Sequence, residues 1–301
     1  MEQTSSKFNQ LPKSWNLVFN LILIVLCVVC IIPIILVYAI SFTSEASLSA
    51  KGYQFLPSEW SLDAYRYVFR NGDQILQSAY VTIGVTAIGT LFSLLVTALF
   101  SYVLSRRDFR YRNVMAFFLF FTMLFNGGLV PSYIVNTNVL HLADSFWILI
   151  LPYSLSAFNV IILRTFMQQS IETAILEAAR IDGAGEWYIF ARIVIPLSKP
   201  GLATVGLFTL VTYWNDWFLG QLYITNPKLV SLQYMLMKLQ SNIDFVTSNA
   251  TSATNNMLMA QIPAEGARMA ILVIVLTPIL CAYPFFQKYF VKGLTIGGIK
   301  G

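Results

Sequence analysis

Charge is what this sequence has least of. Asp, Glu, Lys and Arg make up 11% of its 301 residues, against roughly 25% in a soluble globular domain, which excludes an ordinary water-soluble fold. Histidine occurs once, at His141 in a short turn between apolar segments, so it reads as a surface residue and not as a metal ligand. Cysteine occurs three times. Cys27 and Cys30 have a CxxC spacing, but no further Cys or His stands near them to complete a zinc or redox site. These two and Cys281 read as small buried hydrophobes. No nucleophile-and-base constellation is present, which argues against a membrane enzyme. Inverted repeats and paired ionisable residues deep in several spans are missing too, which argues against a secondary transporter or channel working alone.

What fills the chain instead is hydrocarbon: 57% hydrophobic residues and a mean hydropathy of +0.67. Six apolar runs carry it, at 17–40, 80–104, 114–135, 146–166, 202–224 and 269–290. A helix needs about 20 residues to cross the hydrocarbon core, and only a helix or a closed barrel satisfies its own backbone there. The expectation is therefore an all-α polytopic membrane protein with a six-helix transmembrane domain over 17–290, a tail at 1–16 and another at 291–301. The first run is too long for a signal-peptide core, and no small-residue cleavage site follows it, so it reads as a retained helix. With the N-terminus in the cytoplasm, 13 of the 19 Lys and Arg fall inside and 6 outside, the positive-inside bias. Both termini are then cytoplasmic. The net charge of +5 follows from topology and calls for no nucleic acid.

Two connections stand out. The external segment 225–268 is polar, with 11 Ser, Thr, Asn or Gln among residues 240–256. A long connection of this kind is usually functional or unstructured, and this one is placed to meet a soluble partner or simply water. The sequon at Asn249 carries little weight. The internal segment 167–201 holds "LEAARIDGAGEWYIFARIVIPLSKPG". Residues 171–181 predict a helix with one apolar stripe, Ile171, Ala174, Ile175, Ala178 and Ile181, and Glu177 lies within pairing distance of Arg180. Gly183 breaks this helix, a second turn covers 186–192, and Pro196 and Pro200 close the unit. Alanines beside an exposed glutamate suit close docking on another protein. The alternative is a helix resting on lipid, but such helices favour Lys and Arg on their polar face, and this one is led by acids.

The stretch "EAARIDGAGEWYIFARIVIP" resembles the EAA motif of bacterial ABC-importer permeases. Glu177, Ala178, Ala179, Gly183, Ile193 and Pro196 fall on the motif spacing, Asp182 matches the residue that often precedes the glycine, and Ile195 replaces the usual Leu. "YWNDW" at 213–217, "PAEGARMA" at 263–270 and the ending "QKYFVKGLTIGGIKG" extend the likeness over most of the chain. Together these resemble the maltose-permease-like group of type I importers. The resemblance implies a coupling helix seated on a dimeric ATP-binding subunit, a homologous second permease, an extracytoplasmic sugar-binding protein, and a bacterial cytoplasmic membrane location. The expected cargo is a carbohydrate, an oligosaccharide. ATP and Mg belong to the partner ATPase, in keeping with the absence here of a G-x-x-x-x-G-K-[ST] phosphate loop; this chain is a transport subunit and not an enzyme.

Polar residues inside the runs are candidates for the substrate path. An isolated mid-helix Asp costs about 2.5–3.5 kcal/mol on insertion scales, so Asp216 needs a partner or a watery passage. Tyr213, Trp214, Asn215 and Trp217 surround it with groups that can stack on sugar rings and bond hydroxyls, or that can equally be structural. Asn126, at similar depth and followed by Gly127, Gly128 and Pro131, marks a broken or kinked helix. Asn159 is a weaker path candidate, since an amide also bonds helices together.

Overall fold

The structure, a computed structural model, describes residues 13–248 and 264–297. The sequon at Asn249, the tail up to residue 12 and the last four residues lie outside them. Among the described residues there is no strand, only an isolated bridge between Thr43 and Trp60. The chain forms two compact units: Met1–Arg70 with Ile243–Ile274, and Asn71–Asn242 with Val275–Gly301.

In the first unit α1 (Lys13–Ser41) contains the first apolar run. None of its apolar window is buried within the chain, as befits a helix whose solvent is lipid or a partner subunit. After it come α2 (Glu45–Lys51) and α3 (Asp63–Val68). Ser44 caps α2, accepting from the Ser47 amide at 3.2 Å and donating to Glu59 at 2.9 Å. The Glu45 carboxylate accepts from the backbone amides of Glu265 and Gly266, placing a negative charge on the positive end of the helix Ala264–Gly297.

The second unit is built on α4 (Gly72–Ser105), 34 residues long, or about 51 Å at 1.5 Å per residue. That exceeds a hydrocarbon core of about 30 Å, so α4 continues beyond the run 80–104 at its N-terminal end, where Gln74 and Gln77 donate to the carbonyls of Pro227 and Lys228. One face of α4 carries Ser78, Thr82, Thr86, Thr90, Ser93, Thr97 and Ser101, spaced by three or four and all buried. Small side chains of this kind let membrane helices approach closely. Across this seam stand α7 (Ala157–Ser170) and α11 (Lys199–Trp214). The ring of Tyr213 lies so near Gly89 that an added Cβ would fall 2.8 Å from it.

Three of the six apolar runs are not straight helices. α5 (Arg112–Leu124) meets α6 (Leu129–Ile134) at a 114° bend. The bend comes from Asn126, whose side chain accepts from the Gly128 amide at 2.9 Å, and from Gly128 at φ +88°. The fourth run opens as single helical turns, Phe146–Leu149 and Leu151–Tyr153, before α7, with a 54° bend. Ser156 caps α7. Ahead of the fifth run lie α8 (Thr173–Ile181), α9 (Glu186–Ile189) and α10 (Ile195–Leu197), the last two joined by a wide turn at 190–194; the whole of 186–197 bends by 80° into α11. The run 202–224 is then interrupted at 215–217 before α12 (Phe218–Tyr223). This corrects the expectation of a mid-helix Asp216: it sits in the break. The segment 225–268 is also not plain loop, since α13 (Leu232–Ser248) occupies much of it. The sixth run lies within α14 (Ala264–Gly297), which passes through Pro278 and Pro284.

Candidate functional site

The site is the end of the second unit where α4 stops and α8 to α10 follow α7. Ile189, Phe190 and Val194 are buried with Ala98 and Tyr102 of α4, Leu163 and Met167 of α7, and Val205 of α11, and Leu176, Ala179 and Ala184 pack on this cluster from α8 and its exit. The inward face of α8 is thus Leu176 and Ala179. The stripe read from the sequence points outward instead. Ile171 alone of that stripe is buried, whereas Ala174, Ile175 and Ala178 are exposed and Ile181 is 87% exposed. The periodicity was real, but the bundle takes the other face of the helix. What remains is an exposed apolar ridge beside exposed Glu177 and Asp182.

The helix ends in a tight cap. Gly183 at φ +81° donates to the Arg180 carbonyl at 3.0 Å, and Ala184 donates to that of Ala179 at 2.9 Å. This paired 5→2 and 6→1 closure needs a residue in the left-handed region, where a Cβ is unfavourable. Pro196 is exposed within α10.

Arg180 does not pair with Glu177, as the spacing suggested; among the described residues Glu177 has no ion pair. Arg180 instead binds Asp108 at 2.8 Å and Glu186 at 2.6 Å. Asp108 lies in the turn between α4 and α5 and also holds Arg106 through two bonds, of 3.0 and 2.8 Å. Arg106 is 9% exposed, donates to the Tyr102 hydroxyl at 2.7 Å and reaches Glu186 at 3.2 Å. Burial works against its charge, yet the bond to Asp108 and the neighbouring Tyr102 and Glu186 outweigh it and raise the guanidinium pKa. Beside this cluster an open cleft of about 590 Å³ is lined by Arg106, Arg107, Gln168, Glu172, Glu177 and Arg180, among others.

The substrate-path candidates separate into groups. Tyr213 is 2% exposed and donates to the Ile150 carbonyl at 2.8 Å. Trp214 donates to the Val275 carbonyl at 3.3 Å, and Asn215 to that of Val211 at 3.0 Å. Asp216 accepts from the Tyr153 hydroxyl at 3.1 Å and the Leu219 amide at 3.3 Å, and its carbonyl accepts from Ser231 at 3.3 Å. These four residues support the break between α11 and α12. Asn126 is exposed at the bend between α5 and α6. Asn159, bonded to Thr209 at 3.3 Å, lines a cavity of about 380 Å³ with Tyr153, Ser156, Phe158, Phe208 and Thr212. Non-helical backbone at membrane depth is stable only where protein or a watery cavity surrounds it, and the break at 154–156 lies against this cavity. Tyr153, Ser156 and Thr212 were not singled out in the sequence, because an isolated hydroxyl in an apolar run carries no periodic signal.

Among the described residues no group of three or more His, Cys, Asp or Glu is arranged to hold a metal. Residues 105–296 match the family of binding-protein-dependent transport system inner membrane components. The chain is 41% identical over 266 residues to a polygalacturonan/rhamnogalacturonan transport system permease protein, YtcP, of Bacillus subtilis, covering 88% of this chain and 91% of the relative. It is 40% identical over 261 residues to protein LplC of the same organism, covering 87% and 86%. A crystal structure of a bacterial ABC transporter for import of the acidic polysaccharide alginate contains a chain that superposes with a TM-score of 0.78 at 29% identity, covering 96% of this chain and all of that one.

Proposed function

Because this chain belongs to the binding-protein-dependent transport system inner membrane components, we propose that it is one of two paired permease subunits of an ABC importer for an oligosaccharide. The observation that carries the reading is α8: a capped helix whose apolar ridge, Ala174, Ile175, Ala178 and Ile181, is left uncovered by the rest of the chain beside Glu177. An exposed apolar ridge rimmed by acids has the character of a docking surface. Here it docks on an ATP-binding dimer that holds ATP and Mg, with Glu177, Ala178, Asp182 and Pro196 exposed to the contact while Ala179, packed on the bundle, and Gly183, in the cap, set its angle. The bundle lies in the cytoplasmic membrane with both termini inside, and an extracytoplasmic sugar-binding protein delivers cargo to the outer connections, 225–268 among them.

In this reading the sugar passes the cavity beside Asn159, where hydroxyls and an amide meet the rings of Phe158 and Phe208, while Tyr213, Trp214, Asn215 and Asp216 hold the wall and Asn126, exposed at the bend between α5 and α6, is a further polar contact. Relatives named for polygalacturonan and alginate import make uronic-acid oligomers the first cargo to try. In proteoliposomes with the second permease, the ATPase and the binding protein, uptake of labelled oligogalacturonide is expected to require both ATP and the binding protein. Asn159→Ala is expected to cut uptake about tenfold while basal ATPase persists. Uptake without ATP, driven by an ion gradient, would defeat the reading.

A further inference from the structure

The ion cluster that crosses from the turn after α4 to the α8–α9 segment has a mechanical consequence. Arg106 directly follows the last residue of α4, Ser105, Asp108 lies in the turn to α5, Arg180 on α8 and Glu186 at the start of α9. Four salt bridges of 2.6 to 3.2 Å close them into a ring, and the Tyr102 hydroxyl, itself on α4, donates to Glu186 at 2.6 Å inside it. A solitary exposed ion pair is weak and easily screened. This arrangement differs in two respects: Arg106 is buried, so each carboxylate it holds is costly to remove, and every member has at least two partners, so no single side chain can swing away alone.

Resting on the reading that α8 docks on an ATPase, we propose that Arg106, Asp108, Arg180 and Glu186 form a bracket that makes α8 and the end of α4 move as one body. The pull on α8 then enters the bundle through α4, the helix packed against both α7 and α11, and not only along the chain through the fourth and fifth spans. Arg180 and Asp108 are the positioning residues of this transmission; neither touches the cargo. A chain connection alone would route the stroke through the turn at 182–185, where Gly183 at φ +81° and two backbone bonds are all that fix the angle between α8 and α9.

The test uses the reconstituted importer with Cys27, Cys30 and Cys281 replaced by alanine. With Asp108→Cys and Arg180→Cys together, sugars imported per ATP hydrolysed are expected to fall at least tenfold, with ATP hydrolysis continuing. A short bifunctional thiosulfonate reagent joining the two cysteines is expected to restore at least half of the parental ratio, since the joined segments need not part during the cycle. A normal ratio before crosslinking, or no recovery after it, overturns the proposal. If the double variant does not assemble, Arg180→Gln, at a side chain 40% exposed, is read in the same way: a three- to tenfold fall supports the bracket and an unchanged ratio overturns it. Crosslinking of Ala178→Cys to the ATPase in the parental complex is the control. If that contact is absent, the docking reading fails; if it is present while bracket variants couple normally, only the bracket fails.

Discussion

Asp144 shows how a single carboxylate can fasten two connections. It stands at φ +53° and accepts from the Thr225 amide, the Thr225 hydroxyl and the Asn226 amide, joining the turn 136–145 to the exit of α12. The Thr225 hydroxyl, with the two amides, favours the charged form and lowers its pKa below the ordinary carboxylate value. A group depressed in the folded state contributes stability above its unfolded pKa and loses it as pH falls through the folded one. The clamp should therefore be constant from pH 8 to 5 and release only below about pH 4. In hydrogen–deuterium exchange, Asp144→Ala should expose the amides of 225 and 226 across that neutral range, and the difference from the parent should vanish at the acid end. A difference that disappears already at pH 6 would contradict this. At this scale the sequence was a partial guide. It marked Asp216 as needing a partner or a watery passage; the Tyr153 hydroxyl that bonds it is 63 residues away in the chain and leaves no local trace, and the environment of Asp144 was equally invisible.

Among the elements, α8 carries the argument. Its helix, its glycine stop and the second turn were legible from spacing, because each depends on neighbours within six residues. Its orientation was not, because Leu176 and Ala179 face inward only through contacts with α4, α7 and α11, and a short helix with apolar residues on two faces gives the same periodicity either way. The left-handed cap has a consequence of its own. Gly183→Ala places a Cβ in a conformation costing about 1–2 kcal/mol, with no atoms within 4 Å to relieve or worsen it. The purified complex should assemble but import several-fold less sugar per ATP, and Gly183→Asn should be milder, since Asn tolerates that region better. Equal, normal ratios for both variants would show that the cap angle does not matter. The bends at 125–128 and 154–156 follow the same logic. The first was signalled by Asn-Gly-Gly, whereas the second, with a single Pro152 and scattered serines, looked like continuous span because hydropathy registers the solvent and not the direction of the chain.

For the whole molecule, hydropathy marked six apolar runs, and the described residues hold three helices long and apolar enough to cross a membrane, or up to six when each bent pair is one span, while the resemblance at the EAA motif pointed to the family. α13 stayed hidden because a polar amphipathic helix resembles loop when judged by hydropathy alone. The proposed docking on an ATP-binding subunit needs one surface for the transfer of energy, and the exposed ridge of α8 is the candidate. The direct measurement is site-specific crosslinking from Ala178→Cys, in the cysteine-free background, within native membranes. The account predicts a product containing the ATP-binding subunit, formed in proportion to assembled complex. Labelling by lipid-phase probes alone, with no ATPase product under any nucleotide condition, would contradict it.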